Sequence, residues 1–162
     1  MHIDIDKMSP VEKKAFLEIM ENPVKWAKVF LRIFDPVQKK TVPWTARWYQ
    51  AEILMDRSLK KVARCGRRTG KTETMCVDSL HRTFTNPKYR VLFVTPYENQ
   101  VRLIFMRLKE LIEGSDLLKD EVVKMTSNPY QIVWKNGSAL MGFTTGASSG
   151  SGGAYIRGQK AD

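Results

Sequence analysis

Cys65-Gly66-Arg67-Arg68-Thr69-Gly70-Lys71-Thr72 is the stretch on which the reading of this chain turns. Gly70, Lys71 and Thr72 satisfy the end of the phosphate-loop pattern G-x-x-x-x-G-K-[ST]. In that loop backbone N–H groups cradle phosphates, the lysine reaches the β and γ groups, and the hydroxyl ligates magnesium. The first glycine is displaced: Cys65 holds its place and the glycine follows at Gly66. The surroundings are those the pattern requires. Lys61-Val62-Ala63-Arg64-Cys65 predicts a short strand before the turn. A helix is predicted after it to about Thr85, with Cys76, Val77, Leu80 and Phe84 on one face and Asn86-Pro87 as the stop. The start of such a helix adds partial positive charge and free N–H donors. The bland alternative is a strand-to-helix turn made by Gly66 and Gly70 with basic residues nearby. On the phosphate reading, Gly66, Arg67, Arg68, Thr69, Gly70, Lys71 and Thr72 bind ATP, and Thr72 holds Mg2+.

Working outward, residues 90–95 predict a strand, and Thr95-Pro96-Tyr97-Glu98 a capping box that opens a helix. In that helix Val101, Ile104, Phe105, Leu108, Leu111 and Ile112 keep helical spacing. Strand, helix, strand, helix is the order of a parallel α/β sheet. Residues 131–134 and 139–143, joined through Asn136-Gly137, predict a β-hairpin. The Gly, Ser and Thr of 144–153 predict a flexible loop or a backbone that approaches something closely. Upstream, Ser9-Pro10-Val11-Glu12 is a capping box, and Asn22-Pro23 starts a second helix with Trp26, Val29, Phe30 and Ile33 on its apolar face. Residues 36–43 read as a polar connection and the best candidate boundary, before a helix over 45–59. The expected division is an N-terminal helical segment, 1–40, and part of a sheet domain, 41–162. Two strands besides the hairpin are too few to close the core of a parallel sheet, so a fragment is expected.

The 162 residues include 27 Lys and Arg against 17 Asp and Glu, a formal charge of +10. Seven of the basic residues, and no acidic one, lie between Arg57 and Lys71. Such a balance suggests a polyanionic partner, nucleic acid before others. No apolar run approaches the roughly 20 residues that span a bilayer. The N-terminus has carboxylates where a secretion signal has lysines. Cys65 and Cys76 are too few for a disulfide scaffold and read as small apolar fillers in a reducing compartment. His2 and His81 match no zinc spacing. A soluble cytoplasmic protein with no membrane role is expected.

The loop Gly66-Arg67-Arg68-Thr69-Gly70-Lys71-Thr72 resembles the Walker A loop of the large terminase subunits of tailed double-stranded DNA phages, where arginines and a displaced glycine are usual. Three stretches support the resemblance. Trp48-Tyr49-Gln50 is similar to the adenine-binding motif, in which the glutamine (Gln50) reads the base edge. Val94-Thr95-Pro96-Tyr97-Glu98-Asn99-Gln100 is similar to motif Ia. Tyr155-Ile156-Arg157-Gly158-Gln159-Lys160-Ala161-Asp162 resembles the segment leading into the Walker B strand.

The resemblance covers roughly residues 41–162. It implies a RecA-like P-loop ATPase sheet, incomplete before the Walker B strand and preceded by N-terminal helices. It implies a motor that drives double-stranded DNA into a procapsid as a ring of subunits, in the cytoplasm of the infected host cell, with portal, procapsid and small terminase subunit as partners. Lys71 with Arg67, Arg68 or Arg157 would then stabilise transition-state charge, Arg157 reaching a neighbouring subunit's site. The Walker B carboxylates are expected after Asp162, so the chain alone is expected to bind ATP weakly and hydrolyse it poorly.

Other readings stand beside these. Arg67 and Arg68 could instead contact nucleic acid or face water, and Arg157 could pair with a local carboxylate. Gln50 could be a surface residue. Trp44, Trp48 and Tyr49 could stack on a base or belong to the core. Two rivals share parts of the pattern: a fragment of a superfamily-two helicase or translocase, and a non-catalytic nucleic-acid-binding module with a vestigial loop.

Overall fold

The computed structural model describes residues 7–145. Local caps set the N-terminal helices. Ser9 Oγ accepts from the Glu12 N–H at 3.3 Å, and Glu12 Oε2 accepts from the Ser9 N–H at 2.8 Å, so the expected capping box starts α1 (Pro10–Glu21). Asn22 Oδ1 accepts from the N–H groups of Val24 and Lys25, both at 3.0 Å, and starts α2 (Pro23–Phe30). Each cap satisfies backbone donors that have no intrahelical acceptor.

The polar connection read over 36–43 is a hairpin turn and a strand. β1 (Arg32–Asp35) pairs antiparallel with β2 (Lys40–Pro43), and Asp35 Oδ1 accepts from the N–H groups of Val37 and Gln38 to shape the turn between them. A side chain that bonds its own backbone two residues on is a strong turn former. The next helix, α3 (Trp48–Met55), is shorter than the expected 45–59, because Asp56 turns its side chain to the Ser58 N–H and hydroxyl.

Then come α4 (Lys71–Thr85), β3 (Arg90–Thr95), α5 (Glu98–Glu113), α6 (Asp116–Glu121), β4 (Val122–Ser127), β5 (Tyr130–Trp134) and β6 (Ala139–Thr144). The main sheet has the order β3-β6-β5-β4. β3 runs parallel to β6, from Arg90 opposite Ala139 to Thr95 opposite Thr144, while β6 with β5 and β5 with β4 are antiparallel. The architecture is α/β as expected, but the sheet is mixed: the predicted hairpin extends it, and β4 adds a strand that sequence patterning did not announce.

One face of this sheet carries α4 and α5. Phe93 meets Phe105 of α5 with ring centroids 6.2 Å apart, and Trp134 meets Phe84 of α4 at 6.1 Å. Gly142 allows the close approach of α5: a Cβ there would stand 2.4 Å from Val101 Cγ1 and 2.7 Å from Phe105 Cε2. α2 packs on the outer side of α4, where Trp26 lies against His81 at 5.4 Å and Phe84 at 5.7 Å. Trp26, Ala27 and Leu31 are fully buried in the same core as Leu80, Leu108 and Ile132. Each such large apolar side chain contributes on the order of 2 kcal/mol.

Two further expectations are corrected. Residues 61–65 are irregular rather than a strand; Val62 is 98% exposed, and no strand among the described residues pairs with this stretch. An unpartnered backbone has no ladder to join, so water takes its hydrogen bonds. Thr95 does not cap α5. It is held in β3 by its pairing with Thr144, its hydroxyl donates to the Tyr97 carbonyl at 2.9 Å, and the helix starts at Glu98. No described helix is long and apolar enough to cross a membrane.

Candidate phosphate-binding site

The loop between residue 65 and α4 is shaped by two left-handed residues. Gly70, the N-cap of α4, has φ 83°, and Arg68 has φ 60°. At Gly70 the conformation and the space both demand glycine, since a Cβ would lie 2.7 Å from Gln50 Nε2. Gly66 is different: its φ is ordinary, and a Cβ would meet Thr69 Cγ2 at 3.6 Å, a normal contact.

Three carbonyls of the loop accept from side-chain hydroxyls. Thr69 Oγ1 donates to the Gly66 carbonyl at 3.0 Å, the Tyr49 hydroxyl to the Thr69 carbonyl at 2.9 Å, and Thr74 Oγ1 to the Gly70 carbonyl at 3.0 Å. Gln50 Nε2 reaches the same Gly70 carbonyl at 3.4 Å, while Gln50 Oε1 accepts from the Arg47 N–H at 3.0 Å. The first N–H groups of α4 lie at the positive end of the helix, where they have no intrahelical acceptor. Lys71 Nζ folds over this loop and donates to the carbonyls of Cys65 at 2.9 Å and Gly66 at 2.8 Å. Those are weak acceptors for an ammonium compared with an anionic oxygen.

Gly66, Arg67, Arg68, Thr69, Gly70, Lys71 and Thr72 form this loop and the first turn of α4, with Arg67, Arg68 and Thr72 exposed. Gln50 is buried behind the loop, with both ends of its amide on backbone groups. Trp48 and Tyr49 meet edge-on at 5.5 Å, and with Ile53, Val62, Ala63 and Cys65 they line a cleft of about 580 Å³ beside the loop. Trp44 belongs to the core instead. Arg157, the segment 155–162 and the Gly/Ser stretch 146–153 lie outside the described residues.

One constellation went unread in the sequence. Glu73, in the first turn of α4, accepts from Trp44 Nε1 at 2.9 Å, from Arg107 Nη2 at 2.6 Å and from Arg107 Nε; Arg107 Nη1 also donates to Glu110 at 2.7 Å. Its hydrogen bonds to Glu73, opposed by partial burial, raise the Arg107 guanidinium above its ordinary pKa. An acidic residue in a first helical turn was the only signal, and it reads simply as a dipole-compensating charge. Nearby, burial pushes the Cys76 thiol up to about 12, so it stays protonated. Among the described residues no cluster of three or more His, Cys, Asp or Glu could hold a metal ion.

No family model matches the sequence, and no curated protein sequence does. Solved structures do match. The ATPase domain of the large terminase of Thermus phage P74-26 superposes with a TM-score of 0.60 at 20% identity, over 74% of this chain and 51% of that one. An arginine-to-alanine variant of that domain superposes with a TM-score of 0.55 at 19% identity, over 63% of this chain and 47% of that one. The fold matches part of a large terminase ATPase domain. The chain spans about half the length of the terminase domains it matches. At this identity the likeness shows the fold alone; the chemistry of the loop rests on its own geometry.

Proposed function

We propose that this chain is the ATP-binding portion of a viral DNA-packaging motor. The observation that carries the reading is the loop ahead of α4: left-handed Gly70, Lys71 poised over the concavity, and exposed Thr72 beside it, in a fold shared with terminase ATPase domains.

On this reading the β and γ phosphates of ATP take the place of the Cys65 and Gly66 carbonyls as acceptors for Lys71. They also collect the free N–H groups of the first turn of α4. The residues fit a magnesium–nucleotide complex: Thr72 supplies a hydroxyl beside the phosphates, which supply the anionic oxygens. When bound, the ion would neutralise phosphate charge during transfer. The adenine would enter the cleft walled by Trp48, Tyr49 and Ile53, where an aromatic face can stack on a base. Gln50 then acts on the loop rather than on the base, since its amide is engaged by Gly70 and Arg47. Arg67 and Arg68, exposed at the mouth of the loop, are candidates for transition-state charge, as is Arg157.

Double-stranded DNA is the polyanion this motor would move, with further copies of the subunit in a ring around it. Portal, procapsid and small terminase subunit would be its other partners, in the host cytoplasm. Contacts to DNA would be mainly to phosphates, so affinity would fall steeply with salt.

Calorimetric titration of the chain with Mg–ATP tests the reading. Binding by wild type that is lost in Lys71→Ala is the expected result. Equal binding by the two proteins would overturn it, and DNA binding that ignores both nucleotide and Lys71 would favour a vestigial loop.

A further inference from the structure

The Glu73 carboxylate stands in an awkward place. It is the acidic residue of the first turn of α4, two positions after Lys71, and its Cβ lies 3.9 Å from where a Cβ on Gly70 would be. A bare negative charge there would oppose any anion drawn to the same helix end. Three donors meet this carboxylate: the Trp44 indole N–H and two N–H groups of Arg107. Trp44 is buried, and the side chains of Glu73 and Arg107 are only 20% and 30% exposed, so water screens the charge poorly. Arg107 comes from the middle of α5, 34 positions along the chain. One turn further along α5, Glu110 takes its remaining guanidinium nitrogen and fixes the side chain in place.

We propose that Arg107 is a positioning residue for nucleotide binding: it masks the Glu73 charge from the phosphates and ties the phosphate-binding helix to α5 and Trp44. The proposal rests on the nucleotide reading of the loop. Its consequence is that any movement of α5 that loosens Arg107 also exposes an anion beside the phosphate site. The position of α5 is therefore coupled to nucleotide affinity.

The test uses Arg107→Met, which keeps the apolar stem and removes the charge, alone and combined with Glu73→Gln. Dissociation constants for Mg–ATP, ADP and AMP are measured by calorimetry on each folded variant and on wild type. Arg107→Met is expected to weaken ATP binding on the order of tenfold, with a smaller loss for ADP and least for AMP, because the penalty follows ligand charge. Adding Glu73→Gln to Arg107→Met should restore most of the ATP affinity. An equal loss for all three nucleotides, an absence of rescue, or unchanged affinity in Arg107→Met would overturn the proposal while leaving the nucleotide site intact. Wild-type chain that binds no ATP would overturn the site itself, and this inference with it.

Discussion

The Tyr49 hydroxyl donates to the carbonyl of Thr69 at 2.9 Å, so the second residue of α3 holds the loop that precedes α4. The bond joins residues 20 positions apart and fixes one of the loop's carbonyls. Tyr49→Phe removes this donor and keeps the ring. Loss of one such bond costs about 1 kcal/mol. The bond is present without nucleotide, so its loss should lower the melting temperature by about 2–4 °C and nucleotide affinity by less than about fivefold, measured by thermal denaturation and calorimetry. An unaltered affinity would mean that nucleotide binding does not depend on the Tyr49 bond.

Glycine substitutions should separate the two loop glycines. Gly70→Ala forces a Cβ into a left-handed residue and to within 2.7 Å of Gln50 Nε2. A cost of about 1–2 kcal/mol and loss of nucleotide binding are expected. Gly66→Ala meets only ordinary contact and should fold as wild type does. Paired melting curves and titrations check this, and comparable damage from both substitutions would contradict it.

The thiols should differ in reactivity. Cys76 is buried with its pKa pushed up to about 12, whereas Cys65 is half-buried on the wall of the cleft beside the loop. The thiolate is the reactive species. A thiol reagent should label Cys65 first and Cys76 only on unfolding, and saturating Mg–ATP should slow the Cys65 reaction. Mass spectrometry of the labelled peptides resolves the order.

Stability should fall as the medium becomes acidic. Burial lowers the His81 pKa from 6.5, and its Nε2–H donates to the Met20 carbonyl at 2.8 Å. The Met20 hydrogen bond and then Asp78 oppose the shift, while Arg57 and Arg82 reinforce it. Below the ordinary pKa the unfolded chain takes up a proton that the folded chain refuses. This contribution is therefore complete above about pH 6.5 and lost as pH falls toward the depressed folded value. Urea unfolding at pH 7.5 and 5.5 should show the decline, and it should be smaller in His81→Gln.

Much of this organisation was legible in local patterns. Ser9 with Glu12, the spacing of Val101, Phe105 and Leu108, and Asn136-Gly137 between two apolar runs each act over a few residues, and each forms the element it predicts. Gly70-Lys71-Thr72 likewise sits at the start of a helix, because its conformational demands are local. Where the outcome depended on distant residues, local reading failed. The 61–65 stretch has the composition of a strand but no partner among the described residues, and Thr95 has the pattern of a cap but is claimed by its pairing with Thr144.

The division follows from the range of the forces. Backbone preference, capping and apolar periodicity are written within a turn or two of chain, so the sequence by itself determined most helices, the hairpin and the glycine-capped start of α4. Only the tertiary structure decided that β6 runs parallel beside β3, that Gln50 faces the Gly70 carbonyl, and that Arg107 covers Glu73. Those are pairings across 20 to 49 positions, and their energy exists only once packing has brought the partners together and excluded water between them.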